Sequence, residues 1–456
     1  MADEIKTVSV NEDMVNIFHQ RQDLLNEGSS DILNSRRQAA IGAFTKQGVP
    51  TTKNENYKYT DLSKSFHGDF EHHYQYKKVE VDLYEVFKCD VPELDTHLVL
   101  LVNGWYYARN PKLEGLPEGV IIGSLAQVAN EHPELVEKYY GSVANPEEDP
   151  LLALNTAFAK DGIFVYVPKG VVLEKPLQVI NLLRGTKNTS AVQRNLIVAE
   201  ENSQVKVLFC DHTLDSHYFH MNNHTEMCVG DNAVVDWYYL QNQHNWATNL
   251  TGLYIKQGRN SRVLTNTISL HGGLVRNNLK VVLDGEYAEA NITGLALTDK
   301  AQHVDNFTYI EHAKPNCHSN QVYKNILDDV STGVFTGRIH VVRDAQRTAA
   351  FQRNNNILLS NMAKMHTKPQ LVIDADDVKC SHGATVGQID KDALFYMKAR
   401  GIGDQEARLM LMFAFADEVL RKVALEPLRS RIEELVDKRL RGEVSKCQSC
   451  AIACEK

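Results

Sequence analysis

The chain has 456 residues, 43% of them hydrophobic, which excludes a mainly disordered protein and leaves apolar material for roughly two or three units. Its formal net charge of −9 argues against nucleic acid as a partner, because neutralising phosphates needs a basic surface. No apolar run comes near the ~20 residues that span a bilayer, and the acidic opening MADEIKTVSV has no basic n-region followed by an apolar core, so no membrane span and no secretory signal are expected.

Eight cysteines in such a chain read as thiols or ligands, not as a disulfide framework, and the expected compartment is cytoplasmic. Residues from about 8 to 47 are predicted helical: Asp31 to Phe44 is apolar at helical spacing, and Gly48-Val-Pro50 ends the run. A polar, aromatic-studded connector follows from Pro50 to Leu62. Residues 80–123 mix short strands and turns, with His97 to Trp105 among the strands, and Ser124 to Tyr140 is helical again. The stretch Asn145-Pro-Glu-Glu-Asp-Pro150 combines prolines with acids and predicts a surface linker. Residues 1–150 are therefore read as a mixed α/β unit without a catalytic motif.

From Leu151 to Asp390 helical periodicity gives way to β-branched and aromatic residues alternating with polar ones. Four stretches read strand, tight turn, strand, and aligning Asn202, Asn232, Asn260 and Tyr287 as equivalent positions spaces them by about 30, 28 and 27 residues. One such unit cannot bury its apolar face alone, whereas stacked coils share a continuous core. The fold class expected is mainly β, with a parallel β-helix over 151–390 favoured above a β-sandwich. The repeat loosens beyond about 290, although Ile326 to Gly333 and Val341 to Arg347 look like further coils.

Residues 391–445 read as a C-terminal helical domain. Asp390 or Asp392 caps a short helix that ends before Gly401-Ile-Gly403, and Asp404 caps a second from Gln405 to Val423. Leu409 to Phe415 is apolar all round, which predicts burial on more than one side. Glu426-Pro427 opens a third helix with a one-sided stripe of Leu428, Ile432, Leu435, Val436 and Leu440, which serves either as core or as a docking face. The tail, 446–456, carries Cys447, Cys450 and Cys454, which on a helix would share one side. They read as three ligands lacking a fourth, or as a solvated terminus whose thiols oxidise.

Cys380 and His382 lie two apart in a predicted strand, so their side chains point the same way. Sulfur and imidazole nitrogen suit zinc, copper or iron–sulfur species, but a pair one pleat apart supplies at most half of a four-ligand site. The pair reads either as packing or as a half-site completed from elsewhere, a partner surface being one source. Asp374, Asp376 and Asp377 make its approach acidic and turn-like. His212, His217, His220 and His224 cluster near Cys210, and His312, Cys317 and His318 form a second group. The spacings of the first group suit neither one strand face nor one helix face, so β-surface histidines are favoured over metal ligands for both. There is no phosphate loop, no G-x-G-x-x-G after a strand and no G-x-S-x-G elbow.

Three stretches in order along nearly the whole chain carry a resemblance: Glu55 to Leu62 (ENYKYTDL), Asp161 to Gln178 (DGIFVYVPKGVVLEKPLQ), and Asp376 to Gly387 (DDVKCSHGATVG) with Leu394 to Ile402 (LFYMKARGI). The chain resembles the SufB/SufD family of SUF iron–sulfur cluster assembly scaffolds. It sits on the SufD side, because SufB-like subunits flank the histidine with glutamates where this chain has Ser381 and Gly383. The resemblance implies a right-handed parallel β-helix between an N-terminal helical domain and C-terminal helices. It implies a non-catalytic scaffold without an ATP site, paired with a SufB-like subunit through the last coils. A SufC-like ATPase would sit on the C-terminal helices, which makes Leu428, Ile432 and Leu435 the expected docking residues. Sulfur-donor proteins would act through the complex. A transient iron–sulfur cluster or iron, shared with the partner subunit, would be held by Cys380 and His382, the histidine being the better ligand. A homodimer in isolation stays open. The competing readings are a SufB-like main scaffold and, from another class, a β-helix enzyme acting on polysaccharide.

Overall fold

The computed structural model describes residues 10–79, 91, 94–110 and 112–442. Its body is a parallel β-solenoid of two ten-stranded sheets. Successive strands alternate between the sheets, so neighbours within a sheet are every second strand of the chain. One sheet runs from Ile163–Val167 through Phe219–Val229 to Lys364–Ile373, the other from Leu177–Leu183 through Val234–Asn242 to Val378–Gly387. Inward side chains such as Val207, Trp237, Ile255, Ile292 and Ile339 fill the lumen as one continuous core.

One corner of the coils shows why the repeat was readable. Asn202, Asn232, Asn260 and Tyr287 all adopt left-handed backbone, with φ of 60°, 57°, 54° and 63°. Asparagine tolerates that region better than most L-residues. There the amides of Asn202, Asn232 and Asn260 each donate to a carbonyl of the next coil at 2.8 Å, and Asn260 Nδ2 donates to Asn232 Oδ1 at 2.8 Å. The corner continues through Asn316 and Arg347 with φ of 61° and 59°, so the coils persist where the sequence repeat loosens. At Gly285 the coils approach so closely that an added Cβ would lie 2.0 Å from the Arg259 amide nitrogen.

Helices α1 (Val10–Asn26), α2 (Asp31–Gln47), α3 (Leu125–Glu131) and α4 (Pro133–Tyr139) cover the first coils. Ser30 caps α2 by accepting from the Leu33 amide, and Gly48, with φ of 67°, ends it. The first 150 residues are not set apart from the solenoid. Strand His97–Val102 pairs in parallel with Leu177–Leu183, and Ile121–Ser124 pairs antiparallel with Ile163–Val167. The solenoid does not begin at Leu151 either: Pro150–Phe158 is a helix, α5, buried along its whole length. It shows no polar alternation because α2 and the sheet cover it from different sides. Nor is 145–150 a free linker. Asp149 caps α5, and its other oxygen accepts from the Tyr254 hydroxyl at 2.8 Å and Asn278 Nδ2 at 2.9 Å. A buried Arg194–Glu226 ion pair ties the α4–α5 connection down as well, since Glu226 also accepts from the amides of Gly141, Val143 and Ala144.

After the last coil come α6 (Lys391–Ala399), α7 (Asp404–Leu420) and α8 (Glu426–Leu440). Asp390 caps α6 by accepting from the Asp392 and Ala393 amides. Asp404 is not the cap of α7; Gly403 holds that position, and the Asp404 carboxylate takes Lys398 and Arg408 instead. Burial of α7 reaches more than one side, as the sequence predicts: Leu409, Met412, Ala416, Val419 and Leu420 form the main stripe, and Ala407 is buried on the opposite side. Leu411, Phe413 and Phe415 pack partly buried against the same core, and Met410 faces solvent. Of the two roles open to the α8 stripe, core or docking face, the described residues place it in the core. Leu428 and Ile432 are 1% and 2% exposed, and Leu435 is half-buried. All three pack into a core shared with α7 and the outer face of the second sheet, including Tyr238, Leu240, Ile268 and Leu270. That sheet face is apolar and needs a cover, which the chain supplies itself. Arg439 fastens it, donating to the Leu270 carbonyl at 2.9 Å and to Asp299 at 2.5 Å.

Candidate functional site

The last coil differs from the rest in being unfinished. Its strands, Lys364–Ile373 and Val378–Gly387, each pair with one neighbour and present a second edge with none among the described residues. An edge of this kind leaves a row of backbone donors and acceptors available to another chain. Cys380 and His382 lie on this final strand, opposite Ala350 and Gln352 of Thr348–Leu358. Alternation puts both on the side that faces the lumen in the coils below. Cys380 is half-buried against the interior core, whereas His382 is exposed. Burial pushes the Cys380 thiol up from its ordinary value, with the Ala350 backbone hydrogen bond pulling weakly the other way.

Behind the histidine runs a polar column. Gln321, Gln352 and His382 occupy matching positions in three successive coils. Gln352 Nε2 donates to Gln321 Oε1 at 2.5 Å, and Gln321 Nε2 donates to Thr308 Oγ1 at 2.6 Å. Two buried oxygens near this end have no hydrogen-bond partner: Gln352 Oε1, and Thr367 Oγ1 on the other strand of the last coil. The open end therefore combines a thiol, an imidazole and unpaired polar oxygens. Sequence reasoning missed Gln352 and Thr367, because a glutamine or threonine in an alternating strand carries no mark of facing inward.

The other flagged residues do not form a site. Cys210 and His212 lie on the second sheet, His220 and His224 on the first, so the two pairs belong to different faces. They are not exposed β-surface histidines either. Burial drives His212 down to about 4, His220 to about 3 and His224 well below its ordinary value. His217, half-buried, lies between the strands. His312 is buried with Nε2 2.8 Å from Ser319 Oγ, Cys317 donates to the Gly285 carbonyl, and His318 tilts against Phe351. Among the described residues no three His, Cys, Asp or Glu side chains are grouped to hold a metal ion. Cys447, Cys450 and Cys454 lie outside the described residues.

The described residues thus form a parallel β-solenoid with an open last coil, a Cys-x-His pair on its edge and helices folded back along one sheet. Residues 182–415 match the SufBD core domain of SUF system FeS cluster assembly, and residues 8–179 match the SufBD protein N-terminal region. The chain belongs to the SufBD family. It is 30% identical to the iron–sulfur cluster assembly SufBD family protein slr0076 of Synechocystis, over 91% of this chain and 93% of that one. It is 29% identical to the iron–sulfur cluster assembly protein SufD of Escherichia coli, over 89% and 92% of the two chains. With SufD of Bacillus subtilis the identity is 27%, over 71% and 75%.

Proposed function

We propose that the chain is a SufD-type, non-catalytic scaffold subunit, whose last coil joins a SufB-like subunit and contributes Cys380 and His382 to iron or a nascent iron–sulfur cluster at that junction. The observation that carries this reading is an exposed imidazole on an unpaired edge strand, beside a half-buried thiol. A ligand pair from one strand needs a second set, and the same edge offers backbone groups to the chain that would bring it. The chemistry orders the two ligands. A thiol whose pKa is raised by burial is protonated near neutral pH and must lose its proton to bind iron, whereas neutral imidazole offers a lone pair at once. His382 is therefore the first ligand, and Cys380 joins as its thiolate when it binds iron and its proton passes to solvent.

The docking surface for a SufC-like ATPase moves from α8 to α6 and the outer face of α7. Helix α6 has no buried residue, and Phe395, Tyr396 and Met410 are 74%, 59% and 47% exposed. Exposed aromatics of this size mark contact surfaces. Sulfur-donor proteins would act on the assembled complex, and without a SufB-like partner the open coil is available to a second copy of the chain. No helix among the described residues is long and apolar enough to cross a membrane, and a cytoplasmic setting fits the proposed role. His382→Ala tests the reading in the reconstituted complex under anaerobic conditions. The subunits should still co-elute, while the visible absorbance of the assembled cluster is lost; assembly at the normal rate and yield would refute the assignment.

A further inference from the structure

One cavity shares no residue with the last coil. It lies where α1, α5 and the 66–74 segment meet the early coils, and it encloses about 480 Å³. Small-molecule sites span roughly 300–1,000 Å³. Its walls mix aromatic and aliphatic side chains, Phe66, Phe70, Tyr74, Leu154, Phe158 and Val192 among them, with polar ones. His220, 4% exposed, comes from strand Phe219–Val229 to line it. Phe66 and Phe70 hold its ring at centroid distances of 4.5 and 6.0 Å, and Nδ1 lies 3.5 Å from Ser190 Oγ. Its Nε2 is sealed from solvent and has no hydrogen-bond partner, and the same is true of the Tyr74 hydroxyl.

Leaving such groups unpaired costs about 1–3 kcal/mol each. Charge narrows what would relieve them. The Lys160 ammonium is committed to the carbonyls of Leu24 and Glu27 at 2.6 and 2.7 Å. Burial keeps His220 and His72 neutral at neutral pH, and the acids lining the cavity, Asp13 and Asp69, are exposed at its rim. The one ammonium in the lining already spends two donors on carbonyls, and no metal-holding group exists among the described residues. Aromatic walls favour a flat ring.

We propose that this cavity is a binding site for an uncharged, planar, ring-bearing organic molecule, packed among Phe66, Tyr74 and Phe158 and hydrogen-bonded through a polar edge to His220 Nε2 and the Tyr74 hydroxyl. The site is independent of the cluster-assembly reading, since it uses neither Cys380 nor His382.

The probe is 2-naphthol, titrated into the full-length chain carrying 13C-labelled methionine methyls. Met14 lines the cavity and reports occupancy, its resonance assigned with Met14→Leu. The expected result is a saturable shift of the Met14 methyl. Binding of 2-methylnaphthalene, the same frame without the hydroxyl, should be about 10-fold weaker, the worth of one hydrogen bond. Naphthalene-2-sulfonate should not move the Met14 signal. His220→Phe should keep the aromatic wall and erase the preference for the hydroxyl. No saturable Met14 shift, equal affinity for the two uncharged compounds, or equally tight sulfonate binding would each overturn the proposal. The wild-type comparison alone decides, so the outcome does not depend on the variant folding.

Discussion

The two C-terminal surfaces can be separated by one pair of substitutions. Leu428 is 1% exposed in the core formed by α8, α7 and the second sheet. Leu428→Ala removes three carbons, worth about 0.8 kcal/mol each, for about 2.4 kcal/mol of lost transfer energy. The cavity left behind adds about 24 cal/mol per Å³ of unrelaxed volume, so the total falls at about 2–5 kcal/mol. Phe395, 74% exposed on a helix with no buried residue, carries no such load, and Phe395→Asp should change stability by no more than about 0.5 kcal/mol. The assays are urea unfolding followed by circular dichroism, and co-elution with a SufC-like ATPase at a concentration where both variants are folded. Leu428→Ala should lower the unfolding midpoint and keep the ATPase; Phe395→Asp should do the reverse. If Leu428→Ala unfolds like the wild type yet loses the ATPase, the stripe is a docking face and its assignment to the core is wrong.

Two further predictions concern the buried charges and histidines. Glu226→Gln leaves Arg194 buried without its counter-charge and weakens the hold on the amides of Gly141, Val143 and Ala144, so urea unfolding should show a loss of about 3–5 kcal/mol, and a loss below about 1 would mean that the pair is hydrated. His212, His220 and His312 are lowered by burial to about 4, about 3 and about 4, while their unfolded value is about 6.5. A depressed folded pKa means that the unfolded chain binds the proton first, so their contribution to stability is intact above about pH 6.5 and is lost as the pH falls toward 4. Asp161 and Asp211, raised by burial, act with the opposite sign, so the contribution of one histidine is best read as a difference. His312→Asn should flatten stability against pH by about 1.4 kcal/mol per unit between pH 6 and 5, and an unchanged slope would contradict the linkage.

What could be read from the chain alone follows from how local each cause is. The coil corners were legible because a left-handed residue every turn selects asparagine, and because each turn repeats the same short contact with its neighbour. The α6 cap was legible for the same reason, as Asp390 bonds amides two and three residues on. Helix α5 was lost in the reading because a segment covered from several sides has no polar face to give it a period. The acidic, proline-rich stretch before it looked like a linker because the partners of Asp149 are Tyr254 and Asn278, more than a hundred residues away.

The same distinction governs the open end. Cys380-x-His382 was visible as a pair because strand alternation is a local rule, and the structure leaves the imidazole exposed on the lumen side of an edge strand. The Gln321–Gln352 column behind it depends on register between coils about thirty residues apart, which no window along the chain contains. A stacked fold places like positions above one another, so the last coil inherits an inward column with no next member among the described residues. In the coils below, Gln352 bonds to Gln321, and its own Oε1 is left without a partner. At the final coil no described residue of this chain occupies the position above, and the imidazole of His382 is left exposed at the open end.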